Sequence, residues 1–445
     1  MNAVHAIDAT RSKRKKTPLV GFLAAFVVLY SIMPIVGQLV SDYTTTYAYM
    51  LLVVAMTAVI MLKEGTSSFI EYFVALLPII ILEAETYFIN NGSVLLWGYS
   101  VLIFLFPIIL GYYITKKKPG AMRLLRIALI LAIFITVITT CVGLMQNPLA
   151  ARTLATIATS DNALLRKYNY LNLGGFDFVY TVVLLYPLLI LAFKQKKIGL
   201  IPTIIGVVGA FFLAFMSEYT TAFLLLAVSS VFFFFRRTIK VKTVVLFGVL
   251  GVIVLLLFSP LFSKFFLWLS QAVDSREMAA RFREISEGYT SLVGSDNKRL
   301  FLYGRSLRSF LDYPLFGSAL ARRPYAGGHS NTLDILANYG LFGLGFLLFS
   351  YRAIYQKFYR PYKDTSGFAY ILWVFVQAFI LSVLNPGMWT PVLCLYAPIF
   401  FPILAEPNEK SPAEIRREKR AERVRLAQGL SPMPPKPSTP PTPDA

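Results

Sequence analysis

Long apolar runs, each ended by charged or turn-forming residues, dominate the pattern of this 445-residue chain. A run of about 20 apolar residues is long enough to cross a bilayer as one helix. The pattern predicts an all-α integral membrane protein with about 12 transmembrane helices. The predicted spans lie near residues 18-40, 46-62, 68-83, 94-115, 127-145, 176-193, 198-216, 219-235, 243-262, 340-356, 367-385 and 387-404.

The polar segments between these runs divide the chain into five parts. These are a basic N-terminus (1-17), spans 1 to 9 with an outer loop at 146-175 (18-262), a large outer loop (263-338), spans 10 to 12 (339-404) and a basic helix with a Pro-rich tail (405-445). The composition of the tail is typical of a charged surface helix followed by a disordered end, which leaves membrane lipid as its expected partner.

The charge balance fits this topology. The chain is 56% hydrophobic and only 15% charged, yet its formal net charge is +20. Most of the 43 Lys and Arg residues fall in segments on the same side as the N-terminus, and cytoplasmic loops carry such an excess. Both termini are therefore expected in the cytoplasm, and nucleic acid is not expected as a partner.

The predicted spans contain few groups that could perform chemistry. Cys141 and Cys394 lie inside apolar runs, and the ligand sets of a disulfide, a zinc site or an iron-sulfur cluster are missing, so we expect no metal and no cofactor. Glu71 and Asp177 are the main ionisable residues, and each lies near one end of its span. A proton- or ion-coupled carrier is therefore disfavoured.

The loop 263-338 is rich in arginine on the side where cations are otherwise scarce. Arg binds phosphate through two parallel hydrogen bonds, so the loop predicts a phosphorylated ligand. The alternative for residues 276-283 is an amphipathic helix whose arginines pair with nearby Glu and lie against lipid headgroups. The arginines are Arg276, Arg281, Arg283, Arg299, Arg305, Arg308, Arg322 and Arg323.

Residues 298-312 have the periodicity of one helix that presents several guanidinium groups. One stripe holds leucines and a glycine, and a second stripe holds two arginines with Phe301 and Asp312. Because Asp312 can neutralise Arg308, Arg299 and Arg305 are the better ligand candidates. The two stripes are Leu300, Gly304, Leu307 and Leu311, and Phe301, Arg305, Arg308 and Asp312.

His329 is the strongest catalytic candidate, because the only other histidine lies in the N-terminal tail. It precedes Ser330, a good cap for a short helix that runs to Asn338 and ends at Gly340. A helix N-terminus attracts a pyrophosphate and favours a neutral imidazole, which can accept a proton from a sugar hydroxyl. The alternative is a histidine that only caps the helix or bonds a carbonyl.

Three short motifs in this region follow one another in a definite order. They are Pro314-Leu-Phe-Gly317, His329-Ser-Asn-Thr-Leu333 and Gly340-Leu-Phe-Gly343. In this order, before a late span, they resemble the O-antigen ligase and polysaccharide polymerase family of bacterial envelope proteins. The local similarity covers about residues 295-350, and the twelve-span layout with a large late outer loop agrees with the family over the rest of the chain.

This resemblance implies glycosyl transfer from an undecaprenyl-pyrophosphate-linked glycan at the outer face of the bacterial inner membrane. The implied fold resembles that of polyprenyl-phosphate-dependent glycosyltransferases, and 263-338 is the implied catalytic loop. His329 is the implied catalytic base and Arg299 matches the loop arginine of the family. Arg305 and Arg281 are further pyrophosphate candidates, and Tyr303, Tyr325 and Ser330 are candidates for sugar contacts, although aromatic residues near a membrane surface commonly act as anchors.

The chain departs from the family pattern at two positions. Glu218 stands where the family has a cation, and Ala319 stands where it often has Gly. One pyrophosphate contact is therefore missing or is supplied by Arg281 or Arg305.

The resemblance leaves the acceptor open. The Gly-Gly-His-Ser form of the histidine motif favours polymerisation of lipid-linked repeats into a cell-surface polysaccharide, with an acceptor glycan lipid as the second substrate. The alternatives are an O-antigen ligase that transfers the glycan to lipid-A core and, from another class, a flippase or exporter of the lipid-linked glycan. A chain-length regulator and a separate flippase would be partners of a polymerase.

Overall fold

The structure is a computed structural model, and every regular element that it describes is helical. It describes residues 19-43, 46-65, 70, 94-147, 150, 154, 162-217, 219-231, 246, 259-272, 279, 282-283, 286, 298-318, 328-385, 387 and 389-405. The helices are α1 (Leu19–Ile32), α2 (Pro34–Tyr43), α3 (Thr46–Glu64), α4 (Val94–Lys117), α5 (Pro119–Gln146), α6 (Asn162–Tyr170), α7 (Phe176–Lys194), α8 (Leu200–Met216), α9 (Thr220–Ser230), α10 (Ser259–Ala272), α11 (Lys298–Asp312), α12 (Asn331–Ile354), α13 (Phe368–Leu384) and α14 (Phe401–Leu404).

Three stretches are long and apolar enough to cross a membrane, namely Gly120–Gln146, Phe176–Lys194 and Asn331–Tyr362. The bent pair α1 and α2 adds a fourth if it forms one span. These helices are those of an all-α membrane protein. Shorter apolar helices lie at three further predicted spans, while most of the spans predicted at 68-83 and 243-262 lies outside the described residues.

The predicted first span, 18-40, is divided at Met33, where α1 and α2 meet at 103°. Pro34 begins α2, and a proline cannot donate the backbone hydrogen bond that would continue α1. The side chain of Asn172 accepts a hydrogen bond from Ile35 N at 3.2 Å, which satisfies a donor at the start of α2. Asn172 follows α6, so the segment after α6 holds this bend in place.

The predicted last span, 387-404, is not one regular helix. A π-helical turn at Val392–Tyr396 is followed by a turn and by the four-residue helix α14. Three prolines interrupt the segment, and proline removes a helical donor and clashes with the preceding turn. Most of its side chains are buried in the bundle, so the segment packs inside the protein.

Contacts gather the basic segments at one end of the bundle, called here the basic end. Lys117, which follows the predicted span 94-115, forms an ion pair of 3.1 Å with Glu64 at the end of α3, and this contact raises the pKa of Lys117. Lys357 lies 4.6 Å from the ring centroid of Tyr112. These contacts place the ends of α3 and α4 beside the basic segment that follows α12.

The end of α7 belongs to the same face. Gln195 Nε2 donates a hydrogen bond of 2.6 Å to the carbonyl of Leu404, the last residue of α14. The ring of Phe401 in α14 contacts the ring of Tyr359, which adjoins Lys357, at 5.1 Å. The lysines at 194-197 therefore share the basic end with those of α4.

Aromatic rings mark the opposite end of the bundle. Phe176, at the start of α7, lies 5.4 Å from Tyr219 and 6.3 Å from Trp389, measured between ring centroids. Tyr180 packs one turn deeper, 5.5 Å from Trp389. These contacts bring together the start of α7, the start of α9 and the segment that follows α13.

Candidate functional site

The site region is organised by a break in α12 at Gly340, where φ is 64° and ψ is −156°. The sequence predicted that a short helix would end at this glycine, and the prediction is confirmed. The two parts are called α12a (331-339) and α12b (341-354). A side chain at Gly340 would need an unfavourable positive φ and would collide with the carbonyls of Pro314 and Leu315.

The turn at 314-317 closes this break with backbone hydrogen bonds. The first N–H groups of a helix have no partner inside it, and here Leu341 N donates to Pro314 O at 2.8 Å and Phe342 N donates to Leu315 O at 3.2 Å. Ser318 N donates to Ala337 O at 2.9 Å, near the end of α12a. The motif that begins at Pro314 and the motif that begins at Gly340 are thus joined by backbone hydrogen bonds.

Because of the break, α12a folds back against α12b. A Cβ built on Gly343 would lie 3.3 Å from a side-chain methyl carbon of Ile335, eight positions earlier. Along a straight helix, eight residues span about 12 Å. Thr332 Oγ1 lies 2.9 Å from Ser382 Oγ in the last turn of α13. Asn331 N donates to Asn385 O at 3.1 Å. The N-terminus of α12a therefore lies at the end of α13, on the opposite side from the basic end.

Ser330 caps α12a, as the sequence predicted. Its hydroxyl is buried and accepts a hydrogen bond from Leu333 N at 3.1 Å. The carboxylate of Asp334 accepts a hydrogen bond of 3.2 Å from Ser330 N. The hydroxyl proposed for sugar positioning therefore serves the helix cap, and two of the donors near the start of α12a are satisfied locally.

Asp334 also joins α12a to the arginine-bearing helix. Ser306 Oγ on α11 donates to Asp334 Oδ1 at 2.7 Å. Sequence reasoning missed Asp334, because the capping-box pattern has its carboxylate three residues after the cap and Asp334 lies four residues after Ser330. This carboxylate links the neighbours of Arg305 and His329, because Arg305 precedes Ser306 and His329 precedes Ser330.

The sequence-predicted residues fall into three groups. His329, Arg305 and Arg308 are exposed to solvent. Tyr303 donates a hydrogen bond of 2.7 Å to Leu384 O and so anchors α11 to the end of α13. Arg299 lies in α11, whereas Arg281 and Tyr325, with Glu71, Glu218, Ala319, Arg276, Arg322 and Arg323, lie outside the described residues.

Buried donors without partners lie next to this arrangement. The side-chain nitrogens of Asn331, Asn385 and Trp389 are buried and have no hydrogen-bond partner among the residues that the structure describes. An unpaired buried polar group costs free energy comparable to a lost hydrogen bond. Sequence reasoning could not identify these nitrogens, because their pairing depends on contacts between α12a and the segment after α13.

Within the described residues, acidic, histidine and cysteine side chains form no cluster of three that could hold a metal ion. Cys141 and Cys394 are both free and buried. Neither a scan of protein-family models nor searches of curated proteins and of solved structures finds a match to this chain. What the protein does must therefore be inferred from its own side chains.

Proposed function

We propose that the protein is a membrane glycosyltransferase that polymerises undecaprenyl-pyrophosphate-linked oligosaccharide repeats into a cell-surface polysaccharide. One observation carries the proposal. The exposed His329 stands at the N-terminus of α12a, and Asp334 ties that terminus to α11, the helix that bears Arg299 and Arg305. The segment that carries the proton acceptor and the helix that carries the guanidinium groups are thus held together through one carboxylate, that of Asp334.

In the proposed reaction, His329 accepts the proton of an acceptor sugar hydroxyl. The resulting oxygen attacks the anomeric carbon of the donor sugar, and the bond from that carbon to the pyrophosphate oxygen breaks. Direct attack inverts the anomeric centre. Arginine side chains stabilise the negative charge that develops on the departing pyrophosphate. This scheme needs no metal and no cofactor.

The topology that we propose follows from the charge distribution. The basic end collects the ends of α3, α4 and α7, and an excess of Lys and Arg is typical of the cytoplasmic side. The N-terminus of α12a lies at the other end, which is then extracytoplasmic. Both termini are proposed to be cytoplasmic, in a bacterial inner membrane. A twelve-span arrangement like that of polyprenyl-phosphate-dependent glycosyltransferases is part of the same proposal.

The second candidate is an O-antigen ligase, which would use the same base and the same donor but lipid-A core as acceptor. The histidine motif alone favours the polymerase over the ligase. A flippase or exporter is the candidate from another class, and it would not need the proton acceptor that His329 provides.

A reconstituted transfer assay tests the proposal. Purified protein in nanodiscs is incubated with a lipid-pyrophosphate repeat, and the products are separated by length. We expect a ladder for the unchanged protein, at least a 100-fold slower transfer for His329→Ala, and an unchanged rate for Lys63→Ala, a matched control at the basic end. Thermal unfolding of each variant shows that the bundle is intact.

Each contrary result points to one alternative. Transfer only after addition of lipid-A core replaces the polymerase with the ligase. Full transfer by a folded His329→Ala variant removes the catalytic assignment. Movement of a labelled lipid-linked glycan across a vesicle membrane, equal in the unchanged protein and in His329→Ala and without any product, supports the flippase instead.

A further inference from the structure

Helix α11 has three faces with different surroundings. A helix turns about 100° per residue, so residues three or four apart share a face. Ser306 and Ser309 face the protein and are 1% and 4% exposed. Leu307 and Leu311, called here the leucine face, are 47% and 67% exposed. The third face, called here the arginine face, holds the exposed Arg305 and Arg308 together with the exposed Phe301 and Asp312.

This arrangement is the reverse of a helix on a water-soluble surface. Such a helix buries its apolar stripe and exposes its polar side chains. In α11 the serines are buried and the leucines are exposed, so the leucines need an apolar environment beyond the residues that the structure describes. The sequence predicted a leucine stripe and an arginine stripe on this helix. Both stripes face outward, and the inward side is formed by Ser306 and Ser309.

The leucine face continues onto a candidate membrane span. Leu315 and Phe316, in the turn after α11, are also exposed. The ring of Phe316 lies 5.7 Å from the ring of Phe342, in the first turn of α12b, and both Leu341 and Phe342 are exposed. Contiguous exposed apolar surface of this kind marks a site of interaction with membrane or protein.

The arginine face indicates which of these two occupants is present. Arg305 and Arg308 are exposed and lie beside the leucine face, so apolar and cationic surfaces meet along one edge of the helix. Acyl chains and anionic headgroup phosphates meet in the same way at a bilayer surface, and amphipathic helices with this pattern lie in that plane.

We infer that α11 is an interfacial helix, with Leu307 and Leu311 among the acyl chains of one leaflet and Arg305 and Arg308 at its phosphates. The leaflet is the one at the end of the bundle where α12a begins. Since Ser306 on α11 bonds Asp334 on α12a, the N-terminus of α12a is held at headgroup depth. The inference does not depend on the glycosyl-transfer proposal.

Spin-label accessibility in vesicles of phosphatidylethanolamine and phosphatidylglycerol tests the inference. Leu311→Cys and Arg308→Cys are labelled separately with a nitroxide, and the buried Cys141 and Cys394 are left in place, with background measured on the unchanged protein. Oxygen concentrates in the acyl region and a water-soluble nickel chelate concentrates outside it. Ile130→Cys, on the exposed side of α5, and Lys196→Cys, at the basic end, provide the lipid and water references.

We expect the label at 311 to resemble the Ile130 reference, with oxygen accessibility well above that of the chelate. The label at 308 should fall between the two references, at headgroup depth. Leu307→Cys gives the same reading if Leu311→Cys does not fold. The inference is overturned if the chelate reaches the label at 311 as readily as it reaches the water reference. It is also overturned if labels at 311 on two copies lie a short distance apart, because a second copy would then cover the leucine face.

Discussion

Ser306 on α11 and Asp334 on α12a are joined by a hydrogen bond of 2.7 Å, and this bond connects the arginine-bearing helix to the cap beside His329. Asp334 uses its other oxygen to accept from Ser330 N. One carboxylate therefore fixes both the start of α12a and its position against α11. Its removal should disturb the site without disturbing the basic end.

The first prediction concerns this bond. Ser306→Ala and Asp334→Ala should each lower the free energy of unfolding by about 2 kcal/mol, because a bond to a charged acceptor is lost. The double variant should lose less than the sum, since both changes remove the same bond, with a coupling of about 1 kcal/mol. Denaturant unfolding in detergent measures the free energy of unfolding of each variant, from which the coupling is obtained. Strictly additive losses would show that the two side chains do not interact.

The second prediction concerns the break in α12. Gly340→Ala should destabilise the protein by more than about 3 kcal/mol, because alanine disfavours positive φ and its methyl group would meet the Leu315 carbonyl. Gly345→Ala, in α12b, is the matched control, since a side chain there meets open space. The control should stabilise the helix by about 0.5–1 kcal/mol. Equal effects of the two changes would contradict the break.

The third prediction concerns the end of α7. Lys196 adopts φ 56°, and Lys197 N bonds Ala192 O at 2.9 Å, which is the geometry of a Schellman cap with Lys196 at the left-handed position. Lys196→Gly should raise the free energy of unfolding by about 0.5–1 kcal/mol. Lys197→Gly, at an ordinary backbone position, should lower it slightly. Thermal melts of both variants decide, and a loss of stability on Lys196→Gly would be the contrary result.

The fourth prediction compares two equally buried asparagines. The Asn172 side chain donates to Thr136 and Thr139 and accepts from Ile35 N, whereas the Asn385 side-chain nitrogen finds no partner in the described part of the chain. Asn172→Ala should cost about 2–4 kcal/mol, and Asn385→Ala about 1 kcal/mol or less. Unfolding free energies measure both costs. If Asn385→Ala proves as costly as Asn172→Ala, its amide is bonded in the native protein.

The local features of this chain could be predicted from sequence. The Ser330 cap, the end of α12a at Gly340 and the helix at 298-312 were all predicted, because capping, left-handed glycine and helical periodicity depend on neighbours in the sequence. The membrane-spanning character of the long apolar runs has the same basis. The crossings that the described helices do not show remain predictions.

The orientation of these elements was decided by contacts between distant parts of the chain. The sequence pattern of α11 could not show that its serines face inward, because that orientation depends on distant contacts. Ser306 bonds Asp334, 28 positions away, and Tyr303 bonds the Leu384 carbonyl, 81 positions away. The bend between α1 and α2 likewise needs Asn172, 137 positions from Ile35. Periodicity identifies the sides of a helix, but only the packing partners determine which side meets protein and which side is left for lipid.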